Sequence, residues 1–137
     1  MTESLNSLEE RRQELYFELG QLGDFRPGTI SVNYRSCGRS NCVCATAGHP
    51  GHGPQYLWNT SQSGRRRAQN LRLGPEVTKV EREIANYQRF TQLCGELVEI
   101  NEQICKLRPV EEIDDEKGLN LLKKTLQKKY SGKSRKK

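Results

Sequence analysis

The stretch CGRSNCVCATAGHPGH, from Cys37 to His52, places three of the chain's five cysteines and both of its histidines within one short loop-like segment. Cys37-x4-Cys42-x-Cys44 supplies three thiols, and His49 and His52 follow at intervals that let either one complete a tetrahedral Cys3His shell. Gly38, Gly48, Pro50, Gly51, Gly53 and Pro54 surround these residues. Such residues suit a backbone wrapped closely around an ion, since tight turns need a positive or a fixed φ. Catalytic zinc keeps one coordination position open and usually has a carboxylate nearby as base, whereas this segment offers enough ligands to close the shell and contains no acid. The expected cofactor is therefore a structural Zn2+. The competing interpretation is a glycine-rich loop with free thiols.

Working outward, TISVNYRSC (residues 29–37) runs directly into the cysteine cluster. It alternates in the β manner, with Ile30, Val32 and Tyr34 on one face and Ser31, Asn33 and Arg35 on the other. Downstream, GPQYLWNTSQSGRRRAQNLRLGP (residues 53–75) contains two β-favouring segments around Ser63-Gly64, the composition of a hairpin turn. Tyr56 and Trp58, two apart on one strand, point the same way, towards the interior. A three-stranded antiparallel sheet stapled by zinc follows.

Helices flank this sheet. Leu5, Leu8, Leu15, Leu19 and Leu22 recur at helical spacing, and a capping residue at Thr2, Ser4 or Ser7 begins the element. Gly74-Pro75-Glu76 starts a second helix, with proline at its first position. Val77, Val80, Ile84, Tyr87, Cys94, Leu97, Asn101 and Ile104 form its seam until Pro109 ends it. Cys94 and Cys105 are expected to pack in the core. This long, coiled-coil-like helix exceeds what the sheet can cover, so it should pair with the N-terminal helix as an antiparallel arm, with a second copy, or with a partner protein. Leu119, Leu122 and Leu126 indicate a short extra helix. KKYSGKSRKK (residues 128–137) shows no periodicity and reads as a disordered basic tail. The fold class is α+β, in four regions: a helix over 1–24, an arginine-rich zinc-binding β domain over 25–75, the long helix over 76–108, and an acidic linker, short helix and basic tail over 109–137.

Only 33% of the residues are hydrophobic and 29% are charged, which leaves a small core in need of a staple. The acidic N-terminus lacks the pattern of a signal peptide, and no apolar run is long enough for a membrane span. An odd number of cysteines in such a chain favours metal binding over disulfides, and the expected location is cytoplasmic. The net charge of +6 is unevenly spread. From Phe25 to Pro75 there are seven arginines and no lysine, Asp or Glu. Nine bases and no acid lie in residues 117–137.

The pattern CGRSNCVC, then HGP and an aromatic hairpin with Tyr56, then a long helix containing IANYQRF, resembles a family of small uncharacterised bacterial and archaeal proteins. Its members carry a Cys-Gly-x3-Cys-x-Cys cluster followed by His-Gly-Pro, and some are loosely linked to transposases. The resemblance spans about residues 28–105 and implies Cys37, Cys42, Cys44 and His52 as the metal ligands. His49 then falls in a small insertion and is the alternative fourth ligand.

Arg35, Arg39, Arg65, Arg66, Arg67 and Arg72 provide planar, permanently charged donors suited to phosphate, and Tyr34, Tyr56 and Trp58 offer rings for stacking on bases. The expected function is a non-enzymatic nucleic-acid-binding accessory protein, acting on DNA or RNA and associated with a mobile element. Two other classes compete with it: a helical protein-protein adaptor, and an accessory subunit of a transposase or nuclease.

Overall fold

The structure, a computed structural model, describes residues 4–134. Helix α1 (Leu5–Gln21) begins at Ser4, whose hydroxyl accepts the Ser7 amide at 3.2 Å, so of the three capping candidates Ser4 is the cap. Strand β1 (Thr29–Arg35) leads into a loop with one 3-10 turn at Val43–Ala45. Strands β2 (His52–Gln62) and β3 (Arg65–Leu71) follow, then helices α2 (Pro75–Leu107) and α3 (Glu116–Ser134). The strands form one antiparallel sheet in the order β1-β2-β3, which makes this an α+β protein. No helix among the described residues is long and apolar enough to cross a membrane.

The chain divides into two compact units, Met1–Cys105 and Lys106–Lys137. In the first, polar links show how α1 meets α2: Arg11 binds Glu96, Glu18 meets Arg89, the Asp24 carbonyl accepts from Asn86, and Arg26 pairs with Glu83. As one number rises the other falls, so the two segments run antiparallel, as the leucine spacing suggests. Between them Leu8, Leu15, Leu93, Ile100 and Ile104 form the buried core, with Leu5, Leu19, Leu22 and Leu97 against it.

The seam of α2 differs from its sequence expectation in the distal half. The buried line is Leu93, Leu97, Ile100 and Ile104, whereas Cys94 is half-buried and Cys105 is exposed. Each cysteine follows a core residue by one position, a rotation of about 100° around the helix, which turns it to the flank of the arm.

The second unit also corrects an expectation. Helix α3 continues through Lys128, Lys129 and Tyr130 to Ser134, so most of the supposed disordered tail is helical; residues 135–137 lie outside the described residues. The Asp115 carboxylate accepts the amides of Lys117 and Gly118, capping the helix, and Leu, Lys and Gln then sustain it through their own preference for helical backbone.

Candidate metal centre and arginine surface

Strand pairing builds the metal centre. In the β1–β2 register Arg35 lies opposite His52, so Cys37, two residues beyond Arg35, emerges beside the imidazole. The chain reaches that position through Gly51, at φ 104°, where an added Cβ would sit 2.8 Å from the Arg35 carbonyl carbon. Only glycine permits this approach. The other two thiols arrive on a tight loop: the Cys42 amide donates to the Arg39 carbonyl at 3.3 Å, and the Ala45 amide to the Cys42 carbonyl at 3.0 Å.

The ligand atoms of Cys37, Cys42, Cys44 and His52 all lie within 4.8 Å of one another. Cys37 Sγ is 3.4 Å from Cys44 Sγ, and Cys42 Sγ is 3.1 Å from His52 Nε2. A tetrahedral ion with bonds of about 2.0–2.3 Å needs its ligand atoms roughly 3.3–3.8 Å apart, so small side-chain adjustments bring the four to coordination distance. These four residues can bind a metal ion. His49 is engaged differently, its Nδ1 accepting the Gly51 amide at 2.9 Å, and it does not join the cluster.

Local hydrogen bonds prepare the buried ligand. The Cys37 amide donates to Cys44 Sγ at 3.4 Å and is the main reason that thiol is lowered to about 6, with Ser36 and the neighbouring thiols assisting against burial. Cys37 moves the other way: the Arg39 amide favours its thiolate, but the sulfur of Cys44, burial and Cys42 outweigh that effect and raise it. The thiolate is the form that ligates metal, so these bonds favour the ligating form of Cys44.

The arginines do not form one face. Arg35 and Arg39 belong to the metal end of the sheet, while Arg65, Arg66 and Arg67 start β3 opposite Gln62, Ser61 and Thr60 at the other end of β2. Arg72 follows Leu71, beside the start of α2. Because side chains alternate along a strand, Arg65 and Arg67 share one face and Arg66 takes the other. All three are exposed, as are Arg35, Arg39 and Arg72. The ion pairs that tie the helices and the sheet together use Arg11, Arg26 and Arg89 and none of these six.

Arg26, the seventh arginine of the acid-free segment, has a structural role. Its guanidinium lies 4.6 Å from the Trp58 ring centroid, and its Nη2 is 2.8 Å from Glu83 Oε1. Trp58 Nε1 donates to the Pro27 carbonyl at 2.8 Å. Glu83 is buried and also accepts from Lys79 at 2.6 Å; this bond, with the charge of Arg26 acting against the cost of burial, holds its carboxyl below the usual range. The α2 seam counted from apolar residues alone passes over Glu83, although its spacing from Val80 and Tyr87 places it on the same stripe.

Three thiols and an imidazole at the junction of a loop and a strand, on a small α+β scaffold, define a candidate Cys3His metal-site protein. The model of the family described as Domain of unknown function (DUF6788) matches residues 5–83, more than half of the chain, and the chain belongs to that family. The matched region contains α1, the whole sheet and all four candidate ligands. Neither a curated protein nor a solved structure matches the chain.

Proposed function

We propose that this protein is a non-enzymatic nucleic-acid-binding accessory protein whose sheet is held by a structural zinc ion. One observation carries the reading: Arg65, Arg66 and Arg67 are exposed on successive positions of β3, in a segment from Phe25 to Pro75 that contains no acid. Guanidinium groups without carboxylate partners attract phosphate, which no neighbouring charge displaces. Zinc is the ion best suited to three thiols and one imidazole in a tetrahedral shell, and four protein ligands leave it a structural task. Lysines on α3 add affinity that does not depend on sequence. The association with a mobile element rests on the sequence resemblance.

Fluorescence anisotropy with labelled DNA and RNA at several salt concentrations tests the reading, with zinc measured by elemental analysis. Replacing Arg65, Arg66 and Arg67 by alanine should weaken binding and reduce the slope of log K against log salt by about 0.9 for each phosphate that is no longer neutralised. A triple variant that binds as the parent does would remove the arginine surface from the mechanism. The helical adaptor would then be the better reading, supported by Leu121, Leu122 and Leu126, which α3 leaves exposed.

A further inference from the structure

Resting on that reading, we infer that the β2–β3 hairpin is a two-stranded ribbon that enters the major groove of B-form duplex DNA. The first residue of β1, Thr29, pairs with Asn59, whereas β2 continues to Gln62. Beyond β1 the pairs Thr60 with Arg67, Ser61 with Arg66 and Gln62 with Arg65 therefore project as a ribbon of two strands. Its turn is Ser63-Gly64, both at positive φ, and every residue from Ser61 to Asn70 is exposed.

Dimensions select the ligand. Two strands about 4.8 Å apart, with side chains on both sides, fit a major groove about 12 Å wide and overfill a minor groove about 6 Å wide. Three residue pairs extend about 10 Å, close to the major-groove depth of about 8.5 Å. A-form RNA has a deep, narrow major groove that side chains do not read, so an RNA duplex rejects the same ribbon.

Chemistry agrees with the dimensions. Arg65 and Arg67 on one face and Arg66 on the other put guanidinium groups against both walls or floor of a groove, where arginine binds guanine O6 and N7 or phosphate oxygens. At the ribbon's base a groove lined by Thr29, Ser61 and Arg66 offers hydroxyl and guanidinium donors with no carboxylate, a seat for a flanking phosphate. Single strands are held mainly by stacking on aromatic rings. The projecting part of the ribbon, residues 60–67, carries no aromatic residue, and Arg26 already occupies a face of Trp58.

The test is competition for a labelled mixed-sequence DNA duplex bound to the full chain. Competitors are the unlabelled duplex, an RNA duplex of the same sequence and the single DNA strands; methyl green then probes the major groove and netropsin the minor. The DNA duplex should compete at least about tenfold better than RNA duplex or single strand, and methyl green but not netropsin should release the protein. A variant with lysine at positions 65, 66 and 67 should keep salt-dependent binding and lose the preference; unchanged Trp58 fluorescence establishes that the sheet is intact. Equal or better competition by RNA duplex or single strand, or release by netropsin alone, overturns the groove assignment while general nucleic-acid binding stands. Absence of binding to every ligand at low salt overturns both.

Discussion

If the Cys37, Cys42, Cys44 and His52 cluster holds the structural zinc proposed above, removing that metal should unfold the sheet and spare the helical arm. Within residues 29–71 the only buried hydrophobic side chains are those of Cys44 and Leu71. Burying one leucine contributes about 1.5–3 kcal/mol, while ordering the backbone costs about 1–2 kcal/mol for each residue. A structural zinc site supplies on the order of 10–16 kcal/mol in small peptides near neutral pH, so zinc held as proposed above would be the largest favourable contribution available to this region. The arm has its own core of Leu8, Leu15, Leu93, Ile100 and Ile104, remote in sequence from every ligand.

Hydrogen exchange followed by mass spectrometry, with and without a strong chelator, separates the two. Amides of Thr29–Arg35 and His52–Gln62 should lose protection in the metal-free protein, and those around Leu8, Leu15 and Ile100 should keep it. Sheet amides that remain as protected without metal as with it would refute the argument, because the remaining core would then be sufficient. Loss of protection in both regions together would show instead that the arm depends on the sheet.

Leu15→Ala opens a cavity in the arm and should cost about 2–5 kcal/mol, read as a lower denaturant midpoint of helical circular dichroism. Gly51→Ala places a methyl group against the Arg35 backbone at a positive φ and should weaken metal retention in a chelator competition, without moving the arm's transition. Glu83 gives a pH signature. Its carboxyl is lowered on folding, so its stabilisation is complete above the unfolded value near 4.3 and fades as pH falls through the lower folded value. Glu83→Gln should therefore be less stable than the parent at neutral pH, with the gap closing on acidification; Trp58, the single tryptophan, reports it by fluorescence.

Much of this arrangement is visible in the sequence because it rests on short-range chemistry. Period-two alternation marks β1, Pro75 marks the start of α2, and the crowding of thiols and imidazoles between positions 37 and 52 marks the metal centre. Features set by relations between distant residues are less visible. Whether Cys94 or Leu93 faces α1 depends on a rotation of about 100°, which a pattern containing both residues does not decide. The division of Arg65, Arg66 and Arg67 between two faces follows from strand alternation, yet counting charge over a segment hides it. Arg26 resembles the six exposed arginines in sequence because its partner Glu83 lies outside the acid-free stretch, and only folding brings the two within 2.8 Å. The basic end of helix α3 obscures it, since charge suggests disorder while the residues themselves favour helix.

Strand β2 connects these features mechanically. It begins at the candidate ligand His52 and ends at Gln62 beside the ribbon turn, a span of about 33 Å at the usual rise per residue. Trp58 lies between, held by Arg26 and through it by Glu83 of α2. With a metal ion held at His52 the strand is thus anchored at one end and near its middle, leaving the arginine end to project. An isolated hairpin of this length is only marginally stable in water, so the ribbon takes its shape from those two anchors. Loosening the middle anchor with Glu83→Gln should therefore erode preference among nucleic acids more than total affinity, since charge alone supplies affinity and a fixed geometry is needed to distinguish one groove from another.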